Sequence, residues 1–383
     1  MFAFELWREF KLSIAEISKI FPTAKIAYVS KEILILDNID KDEILSKAKK
    51  LGWTIKIIEV KEVFWDIENI LEENLNTAWF EWKYNYAINQ FWIKKALKDI
   101  LKTSKKVIKS AWLNPRFING DFKNTSSVAI IKEALVKKET DFNFIFAEDK
   151  TFFGHTIFVQ DIYGYSNRDY GKLRDMNIGM LPPKLAQMMI NLSSGTKIYD
   201  PFVWLWTVLI ESVYMWNKEV FGSDLNERMV QTSNENLQKL QKDFSFKHLI
   251  FKQNAKYIHE IEIWVNNLSI VSEWYLWEIM TKNNINYERI LAQRSKLADL
   301  YEWFFNWLKK LNFKWNIVIS FPFWEIKWKY FYFEEIYDII ESNCIVNKLL
   351  PENIEFLETK AWSLLYKRDS QLVWREIFCL KLK

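Results

Sequence analysis

The residues best placed to do chemistry lie in one segment, Asp200-Pro201-Phe202-Val203-Trp204-Leu205-Trp206-Thr207. It follows the strand-like TKIY and opens the helix-like TVLIESVYM. With glycine at 204 and 206 it would read DPFVGLGT, a Gly-x-Gly turn from strand to helix. Such a turn lets the backbone approach a ligand closely and aims helix N–H groups at it. Asp224 lies 24 residues beyond Asp200 and ends the next strand-like run, EVFGSD. A carboxylate there can take the hydroxyls of a ribose.

The conditional about glycine has a numerical basis. An average chain is ~7% glycine, which for this length means about 27. This one has 8 glycines and 20 tryptophans. Many of the indoles stand where a turn asks for glycine: after Gly52 at Trp53, at Trp204 and Trp206, and at Trp216 before Asn217. Bulky indoles make poor turn residues, whereas glycine is the usual choice where φ is positive. The counts predict a gene that uses UGA for glycine, read here as tryptophan. The alternative is a tryptophan-rich protein whose indoles fall on apolar faces.

The elements that must hold these residues alternate. KLSIAEISKIF and KDEILSKAKKLG read as helices, and AKIAYVS, EILILD and TIKIIEV as strands. They predict a ferredoxin-like α+β domain over residues 1–61. A second domain is expected over 62–165, with a helix at IKKALKDILKTSKKVIK and paired strands at DFNFIFAED and HTIFVQDIYGY. On that helix Lys94, Lys98, Lys102, Lys105 and Lys109 share one face, opposite Ile93, Leu97, Leu101 and Ile108. Two readings stand for this face: a solvated helix surface, or a contact surface for a phosphate backbone. The polar stretch 166–180 reads as a connection belonging to a third domain, 166–383. There the strand-like TKIYD, EVFGSD, HLIFKQ, LSIVSE and NIVISF alternate with helices, which predicts a mostly parallel sheet. SLLYKRDSQLVWREIFCLKL reads as a closing β-hairpin. A parallel α/β sheet ending in an antiparallel hairpin resembles, by analogy of fold, the Rossmann-like architecture of S-adenosylmethionine-dependent methyltransferases.

Composition excludes several classes. Half the chain is apolar and 27% is charged, so it folds rather than stays disordered. No apolar run reaches the ~18 residues of a membrane span. Glu5, Arg8 and Glu9 interrupt the N-terminus where a signal peptide needs apolar residues. Cys344 and Cys379 provide no disulfide framework and suit a reducing cytoplasm. His155, His248 and His259 are scattered without ligand spacing, so no metal is expected. The net charge is only +4, so binding to nucleic acid would have to come from local patches such as the lysine face.

At the level of motifs the chain resembles the THUMP-domain RNA methyltransferases that modify the exocyclic N2 amine of guanosine in tRNA. FELWREFKLSIAEI is similar to the family's opening FELG-x-x-x-x-LS-x-AE, and LPPKLAQMMINLS to the helix before its nucleotide loop. DPFVWLWT is similar to DPFCGxGT, VSEWYLW to TEPYLG or DPPYG, and WSLLYKRDSQLVWREI to GSLLYxRxxQxVGREI. In the four of these that contain tryptophan, it falls where the family has glycine, or at Trp274 proline or glycine. The resemblance implies an RNA-binding THUMP region followed by a methyltransferase domain that uses S-adenosylmethionine. It assigns Pro182, Asp200, Pro201, Phe202, Trp204, Trp206, Thr207, Asp224 and Asn254 to the cofactor. It assigns Ser272, Glu273 and residue Trp274 to the amine and Tyr275 to stacking on an extruded base. Two departures stand out: Asn254 replaces the usual aspartate, and Ser272 replaces Asp or Asn, leaving the amine acceptor open between Ser272 and Glu273. Core packing of Tyr275 and a solvated Glu273 are the plainer alternatives. The implied partner is tRNA, with or without a small activator subunit, for a cytoplasmic and otherwise monomeric enzyme. The competing functions are an rRNA or DNA amino-methyltransferase and a catalytically silent RNA-binding protein.

Overall fold

A computed structural model describes residues 1–91, 97–120, 123–147, 149–170, 181–204, 206–256, 267–273, 284–352, 354–368 and 371–383. The chain forms two compact units. One comprises Met1–Phe10, Phe21–Lys49 and Trp53–Asn167, the other Lys11–Ile20, Lys50–Gly52 and Arg168–Lys383.

The first unit is built on strands β1 (Phe2–Leu6), β2 (Lys25–Val29), β3 (Ile33–Asp37), β4 (Thr54–Val63), β5 (Lys83–Phe91), β6 (Asn114–Phe117), β7 (Asp141–Ala147) and β8 (Lys150–Val159). They make one eight-stranded sheet in the order β2-β3-β1-β4-β8-β7-β5-β6. The boundary expected at 61/62 falls inside β4, whose antiparallel pairing with β8 carries the sheet through both expected segments. Helix α1 (Phe10–Ile20) is counted with the second unit. Helices α2 (Lys41–Ala48), α3 (Ile67–Glu73), α4 (Leu97–Ser110), α5 (Ser127–Lys132) and α6 (Leu135–Lys138) belong to the first, and α7 (Ile162–Tyr170) closes it. Alternate residues of β5 and β7, Tyr84, Tyr86, Ile88, Phe142 and Phe144, pack with Ile100, Val107 and Ile108 of α4. The 3.6-residue period then leaves Lys98, Lys102, Lys105 and Lys109 exposed.

The second unit holds β9 (Lys197–Asp200), β10 (Glu219–Asp224), β11 (Lys247–Lys252), β12 (Leu268–Glu273), β13 (Ile317–Ile326), β14 (Lys329–Phe331), β15 (Cys344–Val346), β16 (Leu364–Tyr366) and β17 (Val373–Leu382). The sheet order is β11-β10-β9-β12-β13-β17-β15. The five strands from β11 to β13 run parallel, and β17 is antiparallel to β13, β15 and β16. The helices are α8 (Pro183–Ser193), α9 (Thr207–Tyr214), α10 (Glu227–Leu240), α11 (Tyr287–Lys310) and α12 (Glu335–Asn343). Leu297, Tyr301 and Phe304 of α11 and Ile336 of α12 share a buried core with Ile270, Ile319, Phe321 and Phe378 of the sheet. From β9 the chain proceeds to β10 on one side and later returns to β12 on the other. That reversal is the topological switch point, and in open parallel sheets ligands bind outside the carboxyl ends there.

A buried carboxylate ties α1 into this unit. Glu16, fully buried, accepts hydrogen bonds from the Gly52 N–H at 2.9 Å and from Asn191 Nδ2 of α8 at 2.7 Å. Glu16→Ala strands the Gly52 N–H and leaves Asn191 Nδ2 only its bond to the Lys50 carbonyl at 2.8 Å, and the expected loss is about 1–3 kcal/mol. The denaturation midpoint of the second unit measures it, and no loss would remove Glu16 from the account of this packing.

The backbone bears directly on the tryptophan question. Six tryptophans have left-handed φ: Trp112 (63°), Trp204 (39°), Trp206 (52°), Trp216 (71°), Trp328 (67°) and Trp362 (60°). Among the described residues no glycine does. Trp112 follows α4, with its N–H bonded to the Lys109 carbonyl and the Leu113 N–H to the Ile108 carbonyl. Trp216 repeats this after α9, with bonds from Trp216 to Val213 and from Asn217 to Ser212. These are Schellman caps, whose left-handed residue is usually glycine. Lys327 and Trp328 form the two-residue turn between β13 and β14, both at positive φ, where the second residue is again usually glycine.

Candidate active site

The loop between β9 and α9 forms one wall of a cavity of about 680 Å³. Its lining includes Pro201, Phe202, Trp204, Asp224, Asn254 and Leu297. The loop lies tightly on β10 because of Gly222. A Cβ there would stand 2.2 Å from Val203 Cγ2 and 2.9 Å from Leu209 Cδ1. The Val203 N–H bonds to the Ser223 carbonyl at 3.0 Å, and the Trp204 N–H to Asp224 Oδ2 at 3.0 Å. Asp224 Oδ1 takes the Asn226 N–H at 2.8 Å. Burial raises the Asp224 carboxyl above its ordinary range, and these backbone donors pull it back. A carboxylate has about four acceptor sites, so Asp224 keeps capacity for a hydroxyl donor.

Of the other residues assigned to the cofactor by resemblance, Trp206 is buried and caps α9, its carbonyl accepting the Ile210 N–H at 3.0 Å. Thr207 is the buried first residue of that helix. Pro182 stands at the start of α8, where its carbonyl accepts from Leu185 and Ala186. Asn254 turns its side-chain oxygen to the Lys256 N–H at 2.9 Å. Asp200 is not in the cavity wall. It is 2% exposed, and its Oδ1 accepts from Ser272 Oγ at 2.5 Å and from the Phe202 N–H at 3.1 Å.

Ser272 and Glu273 end β12, next to β9 in the sheet. Glu273 forms an ion pair with Arg375 of β17, engaging both Nε and Nη2. Burial raises the Glu273 carboxyl, and the Arg375 charge opposes this. Arg375 is a residue that sequence reasoning did not single out, although it stands inside the closing VWREI motif. Gly222 was also passed over; a glycine two residues before a strand-end aspartate was the available signal. Trp274, Tyr275 and Lys94 lie outside the described residues. The described lysines of α4 belong to the first unit. Among the described residues no group of three metal-ligating side chains converges, and no helix is long and apolar enough to cross a membrane.

No protein-family model and no curated protein matches the chain. Solved structures similar to it include a methyltransferase from Pyrococcus furiosus, at 12% identity and TM-score 0.35, covering 57% of this chain and 92% of that one. A SAM-dependent methyltransferase from Aquifex aeolicus has 15% identity and TM-score 0.32, covering 51% and 88%. Magnesium protoporphyrin IX methyltransferase from Synechocystis, with bound SAH, has 10% identity and TM-score 0.34, covering 58% and 94%.

Proposed function

We propose that the chain is an S-adenosylmethionine-dependent methyltransferase acting on the exocyclic N2 amine of a guanosine in tRNA, in the cytoplasm. The observation that carries the first half is the cavity at the switch point, with a strand-end carboxylate, Asp224, on its wall. Phe202 and Leu297 supply apolar surface for a purine, Asp224 accepts from ribose hydroxyls, and Asn254 offers an amide to the base edge. These residues fit a nucleoside, with glycine at 204 and 206 keeping the loop low. When bound, S-adenosylmethionine supplies an electrophilic methyl group. The guanine amine is a weak nucleophile because its lone pair is delocalised, so the chain's part is to orient the amine and accept its hydrogen bonds. The motif resemblance supports guanosine and tRNA, and the exposed lysines of α4 supply a phosphate-binding face.

The test uses the full chain in two forms, as written and with Trp204→Gly and Trp206→Gly. The glycine form should bind S-adenosylmethionine in calorimetry and transfer labelled methyl to tRNA transcripts. Transcripts carrying inosine for guanosine lack the N2 amine and should accept none. Alanine at Lys98, Lys102, Lys105 and Lys109 should weaken tRNA binding and flatten its salt dependence by about 0.7–0.9 log units per contacting lysine. Methylation of the inosine transcripts would overturn the N2 assignment. RNA binding without cofactor binding by the glycine form would favour the silent RNA-binding protein.

A further inference from the structure

The carboxyl ends of β9 and β12 carry a carboxylate–hydroxyl pair beside the cavity but outside its wall. We propose that Asp200 receives, through Ser272, the proton that the acceptor amine gives up on methylation. The proposal rests on the methyltransferase reading and gives Asp200, which lies outside the cavity wall, a role other than the cofactor contact that resemblance implies for it.

Three observations carry it. First, Glu273 is paired with Arg375, whose positive charge opposes its protonation. Second, Ser272 Oγ lies 2.5 Å from Asp200 Oδ1 and 3.3 Å from the Glu273 carbonyl. Its hydroxyl can therefore donate to Asp200, leaving its lone pairs as acceptors, or turn to that carbonyl when Asp200 itself holds the proton. Third, among the described residues no cation offsets the burial of Asp200. Burial pushes its carboxyl up to about 7, helped by the negative charges of Asp224 on β10 and Glu273 on β12 and opposed by its bonds from Ser272 and the Phe202 N–H. The nearby Tyr199 hydroxyl is paired with Ser223 at 2.8 Å instead. A strap between two strand ends would be made as well by asparagine, without the cost of a buried carboxylate. A carboxyl poised near neutral pH is what a proton acceptor needs.

The balance is simple. The N–C bond forms as the S–C bond of the sulfonium breaks, leaving a thioether and a nitrogen with one proton too many. That proton passes to Ser272 Oγ as the serine's own hydroxyl proton passes to Asp200 Oδ1. The carboxylic acid then returns it to solvent between turnovers.

Two readouts test this on the full glycine-restored chain. In the first, 13C-carboxyl-labelled aspartate is followed by NMR, with the Asp200 signal identified by its loss in Asp200→Asn. It should titrate near pH 7, and higher still in Ser272→Ala, which lacks one of the bonds that favour the charged form. An Asp200 titrating at the ordinary carboxylate value overturns the proposal. In the second, transfer to tRNA at saturating cofactor should rise with pH up to about 7 and then level. Asp200→Asn should lose that limb and about 100-fold or more of turnover, with cofactor affinity within twofold of the parent. Lost affinity with turnover intact would make Asp200 a cofactor contact and overturn the relay, as would a variant that turns over like the parent. If the parent itself binds no cofactor and transfers nothing, the methyltransferase reading fails and the relay with it. That result is distinct from an active parent and an equally active variant. Unfolding midpoints guard against misfolding, since asparagine keeps both hydrogen bonds.

Discussion

Replacing Trp112, Trp216, Trp328 and Trp362 by glycine is expected to stabilise the protein by about 4–8 kcal/mol in all, taking ~1–2 kcal/mol for each non-glycine residue held at left-handed φ. The four positions are far apart in sequence and occupy separate turns, so their effects should add. One lies in the first unit and three in the second, so most of the gain should appear in the second unit's transition. Least is lost at Trp112 and Trp328; Trp216 gives up an edge contact with Phe244 and Trp362 its place over the Lys348 ammonium, so their gains are the smaller. Trp112 is 89% exposed and Trp328 91%, so their indoles bury almost no apolar surface, and Trp216 and Trp362 are also exposed. A net stability of about 5–15 kcal/mol is typical of a whole domain, so a sequence carrying all these indoles would spend much of its margin on turns. Trp206 differs in being buried, with its indole N–H unpartnered among the described residues. Trp206→Gly therefore exchanges an unsatisfied donor and a strained φ for a small void in the loop.

The competing account, a genuinely tryptophan-rich protein, requires indoles on apolar faces and glycines in the turns. The structure instead has tryptophan at left-handed φ at these six positions, of which only Trp206 is buried. Chemical denaturation of the tryptophan and glycine forms decides the energetic claim, and a glycine form no more stable than its parent would sink it. The coding claim has its own check. Codons 204, 206, 274 and 277 should be UGA, and peptides spanning 204–206 from the source cell should have the mass of glycine. UGG codons and tryptophan masses would move the functional reading toward an RNA-binding protein without activity.

The sequence made the alternation of strands and helices legible because each element obeys its own period. The five parallel strands and closing hairpin of the second unit lie where hydrophobic runs end at Asp200, Asp224 and Glu273. β5 escaped notice. Its core face alternates Tyr84, Tyr86 and Ile88, but Asn85, Asn89 and Gln90 break the apolar run. Asn89 is nonetheless fully buried, its amide donating to Asp141 at 2.8 Å and its oxygen accepting the Thr125 N–H at 2.6 Å. Only tertiary partners make such a residue tolerable inside a sheet. The site divides the same way. Loop residues close in sequence were readable as a set, whereas the acid–base partnerships were not. Asp200 meets Ser272 across 72 residues, and Glu273 meets Arg375 across 102. A single sequence contains no signal for pairings at that separation, which arise from the strand order.

That strand order makes Arg375 the second position where a large effect is expected. Strand β17 lies beside β13, which lies beside β12, so Arg375 reaches the end of β12 from within the sheet. Its guanidinium is nearly buried, bonds Gln371 Oε1 at 3.3 Å, and lies 5.7 Å from the Tyr366 ring centre. Arg375→Met keeps the stem and removes the charge, leaving Glu273 without its cation. Removing one member of a buried pair costs about 3–5 kcal/mol, because the remaining charge is unpaired. The sign of the pH dependence follows from the direction of the Glu273 shift. Its folded carboxyl already sits above the unfolded value despite Arg375, and losing the cation moves it further up. The folded variant then holds a proton more tightly than the unfolded chain. Its deficit is therefore small below the unfolded carboxylate range and grows as pH rises through the window up to the raised value. Urea unfolding of the parent and Arg375→Met at pH 5 and pH 8 should give the larger difference at pH 8. Adding Glu273→Gln should recover most of it, since a neutral amide needs no cation. A deficit independent of pH and unrelieved by the second change would mean that Arg375 contributes through packing of its stem on Tyr366, and that Glu273 is held by something else.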